Sequence, residues 1–109
     1  MSTIVAEMMD SIGRAAVEAA EVLALADTDR KNAALLSAAK AVRARAGEIL
    51  AANARDVEAA EAAGLGGAML DRLRLDATRV EAMAVGVEQI ATLADPIGTI
   101  VADWMRPNG

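Results

Sequence analysis

Cysteine, histidine, phenylalanine and tyrosine are all missing from the 109 residues, and Trp104 is the only aromatic side chain. Without cysteine there is no disulfide, no thiolate zinc site and no cysteine nucleophile; without histidine the commonest metal ligand and general base is gone as well. Ser2, Ser11 and Ser37 therefore have no usual base to activate them. Basic charge is also in short supply. Eleven Lys and Arg against sixteen Asp and Glu leave a net charge of −5, the wrong balance for a chain that must replace counterions on nucleic-acid phosphates. The first ten residues carry Glu7 and Asp10 and no basic cluster, so they do not read as a secretory signal. No apolar run approaches the roughly 20 residues that cross a bilayer. These absences predict a cytoplasmic chain with no nucleic-acid and no membrane partner.

What is present is alanine. It accounts for 28 residues, and together with Leu, Met, Glu and Arg it makes the strongest helix-forming set, whereas strand-favouring residues are sparse before Ile97. The expected class is all-α. Alanine also buries little surface, so the core is expected to be thin, and the chain marginally stable unless a partner covers it.

Helical spacing divides residues 1–94 into segments at about 4–25, 29–52, 54–63, 68–73 and 77–93, followed by an extended tail at 95–109. In the first, Ile4, Met8, Ile12, Ala15, Ala19 and Val22 form one stripe, Thr3 is placed to cap the start, and Asp10 and Arg14 make an i, i+4 pair. A helix of that length is expected to lie across its neighbours. Thr28 offers a hydroxyl to the free amides of the second helix while Asp29 favours its positive end. Its stripe is Leu35, Leu36, Ala39, Val42, Ala46, Ile49 and Leu50. Asn53 suits a break between helices, and Gly64 reads as the glycine with positive φ that follows a helix end. Asp76 caps the last helix, whose stripe is Val80, Met83, Ala84, Val87, Ile90 and Ala91, and Asp95-Pro96 stops it. Ile97, Thr99, Ile100, Val101 and Trp104 then suit extended backbone, and residues 106–109 read as a turn.

The candidate constellations are weak. Asp56, Glu58 and Glu61 lie in a surface-type helical pattern and read as a solvated face rather than a metal or acid-base site. Lys40, Arg43 and Arg45 read the same way, since Lys40 and Arg43 share a face that Arg45 leaves. Gly64, Gly66 and Gly67 match no phosphate-loop motif and follow no strand, so they are taken as a turn. Met8, Met9, Met69 and Met83 are expected to fill the core. Trp104 either anchors a partner or docks on the chain's own helices. No catalytic, cofactor-binding or metal-binding residue is assigned.

The literal strings say more than their periodicity. Asn53-Ala54-Arg55-Asp56, Ala63-Gly64-Leu65, Ala68-Met69-Leu70-Asp71-Arg72-Leu73, Asp95-Pro96-Ile97-Gly98 and Trp104-Met105-Arg106-Pro107-Asn108-Gly109 occur in that order. With Arg30-Lys31-Asn32, they closely resemble the N-terminal region of the γ-glutamyl phosphate reductases, also called glutamate-5-semialdehyde dehydrogenases. The resemblance implies a truncated N-terminal part of an aldehyde-dehydrogenase-like α/β fold whose strands, dinucleotide site and cysteine lie farther along. It also implies NADPH as the parent enzyme's cofactor and a step of proline biosynthesis. There a cysteine attacks γ-glutamyl phosphate, phosphate leaves, and hydride reduces the thioester to glutamate 5-semialdehyde. None of those functional residues maps onto a position of this chain, so the chain alone is expected to be non-catalytic and to bind no cofactor. Its expected partners are the remainder of the parent enzyme and further copies of itself, through apolar faces of helices 4–25 and 77–93. A stand-alone helical interaction module and a self-associating helical oligomer are the alternatives.

Overall fold

A computed structural model describes residues 2–109. Five α-helices run in chain order: α1 Ser2–Leu25, α2 Thr28–Ala44, α3 Ala46–Ala62, α4 Gly67–Leu73 and α5 Ala77–Ala91, with no strand among the described residues. The expected all-α class holds. Two compact units divide the chain, one formed by Asp29–Leu93 and the other by the segments up to Thr28 and from Ala94 to Gly109.

In the Asp29–Leu93 unit, α3 packs against both α4 and α5. Its fully or nearly buried residues are Ala39 of α2, Val57 of α3, and Val80 and Ala84 of α5. Two are alanines with no exposed surface, and such small side chains let helix backbones approach closely at the expense of apolar area. Half-buried Leu35, Val42, Ile49, Leu50, Leu70, Leu73 and Val87 surround this centre.

Three expected boundaries move. The second helix does not run to residue 52: Arg45, with φ −106° and ψ 17°, bends it seven residues sooner. At the bend the Arg45 N–H still donates to the Ala41 carbonyl and the Ile49 N–H to that of Arg45, each at 3.0 Å, so Arg45 closes one helix and opens the next. Asn53 accordingly sits inside α3 rather than at its start. The last helix closes at Ala91 instead of 93, where the Thr92 hydroxyl donates to the Gln89 carbonyl at 2.6 Å and competes for a helical acceptor.

Local capping follows the sequence more closely. Gly64 has φ +84°, its N–H donates to the Glu61 carbonyl, and the Leu65 N–H reaches that of Ala60, both at 3.0 Å. This is the paired bonding of a Schellman motif, and it satisfies two carbonyls at the end of α3. Asp76 accepts from the Arg79 N–H at 2.8 Å and so caps α5.

In the other unit every α1 side chain from Thr3 to Leu25 is exposed, although the Asp10–Arg14 pair forms at 2.9 Å. Thr3 lies inside the helix, which already includes Ser2, so it is not the cap. Thr28 also differs from expectation. It is the first residue of α2, and its hydroxyl donates to Asp95 Oδ2 at 3.1 Å, drawn to a carboxylate in preference to neutral backbone. Asp95 Oδ1 accepts from the Ile97 N–H at 3.0 Å, and the Thr99 N–H donates to the Pro96 carbonyl at 3.2 Å across Gly98, whose φ is +82°. The tail beyond is exposed throughout.

The methionines correct a further expectation. Met8, Met9, Met69 and Met83 are all about half exposed, so none fills the core. Leu36 and Ile90, assigned to apolar stripes, are half exposed as well. A core centred on alanine and valine has no volume for long side chains, and they remain outside it.

Candidate functional site

Ion pairs and amide bonds, rather than a cleft, are the most organised polar features of the Asp29–Leu93 unit. The Arg43 guanidinium on α2 donates from Nε to both carboxylate oxygens of Glu81, at 3.1 and 3.0 Å, and from Nη2 to Glu81 Oε1 at 2.8 Å. Its other edge holds Glu88, with Nη1 to Oε2 at 2.9 Å and Nη2 to Oε1 at 2.6 Å. Glu81 and Glu88 are seven residues apart on α5, two turns along one face, so one planar cation is forked between two carboxylates. Hydrogen bonds from Arg43 hold both glutamates below the usual carboxylate range, and donating to Glu88 and then Glu81 raises the arginine still further. The cluster remains at the surface, with Arg43 35% and Glu81 54% exposed, which limits it to a screened clamp between helices.

Asn53 makes the second connection. Its Nδ2 donates to the Leu73 carbonyl and its Oδ1 accepts from the Leu75 N–H, both at 2.8 Å, so one side-chain amide satisfies the backbone on either side of Arg74. Arg79 completes the same corner, donating to the carbonyls of Asp71 and Arg74 at the end of α4 and pairing with Asp71 at 3.2 Å.

The residues weighed from the sequence are not drawn together. Asp56 and Glu58 are exposed, Glu61 pairs with Arg74 at 3.2 Å, and no set of acids among the described residues could hold a metal ion. Arg45 pairs locally with Glu48 at 2.8 Å. Arg43 departs from the solvated-face reading by serving as the α2–α5 clamp. Trp104 is 79% exposed, so its ring is uncovered. A shallow concavity beside the bend is lined by Val42, Ile49, Ala52, Arg45, Arg55 and Glu48, and the one carboxylate among its lining residues, Glu48, is the one paired with Arg45.

No family model matches the chain. Individual relatives do. A γ-glutamyl phosphate reductase of Methylocella silvestris is 54% identical over 102 residues, 94% of this chain, and one of Rhodospirillum rubrum is also 54% identical over 102 residues. A third, from Paramagnetospirillum magneticum, is 53% identical over 108 residues, 99% of this chain. The chain is related along nearly all its length to γ-glutamyl phosphate reductases. It spans about a quarter of the length of these curated relatives, 24–26% of each.

The strings that carry the reductase resemblance are mostly those that join or turn the helices. Asn53 begins one and reaches across to Leu73, which ends another; Ala63-Gly64-Leu65 is the Schellman turn, and Asp95-Pro96-Ile97-Gly98 is the turn held by Asp95. Arg106-Pro107-Asn108-Gly109 closes a further turn, with the Gly109 N–H donating to the Arg106 carbonyl at 3.0 Å. The glycines weighed as a phosphate loop take helix-end positions. Gly64 closes α3, and Gly66 and Gly67 open a helix of only seven residues, with no strand before them among the described residues.

Sequence reasoning missed Arg43 and Asn53. Nothing local marks them, because the partners of Arg43 lie 38 and 45 residues away and those of Asn53 lie 20 and 22.

Proposed function

We propose that this chain serves a γ-glutamyl phosphate reductase as its helical N-terminal portion. The observation that carries the reading is identity above 50% over 94–99% of the chain to proteins of that name. In the whole enzyme, NADPH reduces γ-glutamyl phosphate to glutamate 5-semialdehyde and phosphate, a step of proline biosynthesis in the cytoplasm. The nucleophile and the nicotinamide site of that reaction come from residues outside these 109. This chain contributes scaffold: the clamp at Arg43 and the corner at Asn53 fix the angles between α2, α3, α4 and α5. Thioester formation needs a thiol, and cysteine is absent from the sequence.

A chimera tests the reading. When these residues replace the matching segment of the Rhodospirillum rubrum reductase, the hybrid is expected to keep NADP-linked oxidation of glutamate semialdehyde, whereas the 109-residue chain alone shows neither that turnover nor saturable NADPH binding. A hybrid that folds but has no activity refutes the scaffold assignment. Saturable NADPH binding by the short chain refutes the placement of the cofactor site elsewhere.

Self-association through exposed apolar helix faces is part of the same proposal. The exposed stripe of α1 supports it, while α5 contributes less, since Val80 and Ala84 are buried and Met83, Val85 and Ile90 are its exposed large apolar side chains.

A further inference from the structure

We infer that α1 is a self-pairing helix: two copies of this chain associate by antiparallel packing of α1 on α1 about a two-fold axis, with Val5, Met8 and Ile12 of one copy facing Val22, Ala19 and Ala15 of the other. The inference deepens the self-association reading and rests on it, but not on the reductase reading.

Residues 5, 8, 12, 15, 19 and 22 follow alternating steps of three and four, the spacing of a two-helix seam, and all are apolar. They belong to a helix whose side chains are uncovered, with Met8 56%, Ile12 55% and Val22 58% exposed. The seam is complementary to itself in one orientation. Run antiparallel about a point between Gly13 and Arg14, it sets the large Met8 against Ala19 and the large Ile12 against Ala15, with Val5 against Val22. A parallel pair would place Ala15 on Ala15 and Ala19 on Ala19, leaving voids at one end while crowding Met8 and Ile12 at the other. A two-fold interface requires this reciprocity, since each patch must fit a copy of itself.

Charge favours the same occupant. The positions flanking the seam are Ile4, Ser11, Glu18 and Leu25 on one side and Met9, Ala16 and Leu23 on the other. Glu18 is the only charge among them, and in the antiparallel register it faces Ser11 rather than another Glu18. Glu7, Asp10, Arg14 and Glu21 lie on the outer face, where Asp10 and Arg14 pair with each other. That acidic outer face is the wrong sign for an anionic lipid surface. Antiparallel dipoles of the two helices also oppose and attract.

Sedimentation equilibrium of the 109-residue chain is expected to show a concentration-dependent dimer. Ile12→Glu should raise the dimer Kd at least tenfold, and Val17→Glu on the outer face should leave it within twofold, with circular dichroism showing both variants equally helical. Because the native sequence has no cysteine, orientation is readable directly: Met8→Cys chains mixed with Ala19→Cys chains and oxidised should cross-link 8 to 19 in preference to 8 to 8. A concentration-independent monomer overturns both this inference and the self-association reading. A dimer indifferent to Ile12→Glu, or one that cross-links mainly 8 to 8, overturns this inference alone.

Discussion

A Cβ added to Gly64 or to Gly86 meets nothing within 4 Å, yet the two substitutions are expected to act in opposite directions. Gly64 holds φ at +84°, which L side chains adopt only at a cost, so Gly64→Ala should destabilise by about 1 kcal/mol. Gly86 lies within α5 at ordinary helical φ, where alanine would restrict the unfolded chain and should add about 0.4–1 kcal/mol. Chemical denaturation of the two variants beside the native chain checks both signs. Asn53→Ala would leave the Leu73 carbonyl and the part-buried Leu75 N–H without partners, and a loss of about 1–3 kcal/mol is expected in the same assay. Residues whose task is local, such as Gly64 and Asp76, were legible in the sequence because their partners lie within four residues. Asn53 was not: the same amide that can end a helix reaches here to a loop twenty residues on, and only the fold brings that loop within reach.

Between elements, the Arg43 clamp makes the junction of α2 and α5 sensitive to acid and salt. Glu81 and Glu88 have folded-state pKa values below their unfolded value, which is about 4.3 for glutamate. Their stabilising contribution is therefore fully present above that value and is lost as pH falls through the lowered folded values. Arg43→Met should lower the Tm at pH 7, and the difference from the native chain should shrink as the pH drops below about 4 or as ionic strength rises. Melting curves across pH and salt would show this; a gap that stays constant down to pH 2 would mean that Arg43 acts through its aliphatic stem alone. Removing the α5 cap by Asp76→Ala should cost about 1 kcal/mol without a matching salt dependence at neutral pH. Helix identity was readable at this scale from alanine content and spacing, but Arg43 was indistinguishable from Lys40 because charge spacing on α2 says nothing about α5.

Over the whole molecule, the all-α class was legible from composition, and so was the thinness of the core. Which apolar stripes are covered was not, because a stripe shows only that a face could be buried: those of α2 and α5 contribute Ala39, Val80 and Ala84 to a core, whereas that of α1 is bare. Backbone hydrogen exchange is expected to divide accordingly, with amides around Val80 and Ala84 slowest and those of residues 97–109 fastest. The bend at Arg45 adds a consequence of its own. The Arg45 N–H bonds back to Ala41 and its carbonyl accepts from Ile49, so one residue ends the ladder of α2 and begins that of α3. The bend is therefore a joint as well as a change of heading: fraying that begins near Thr28 can stop at Arg45 and leave α3 closed, so amides on its two sides should exchange at separate rates.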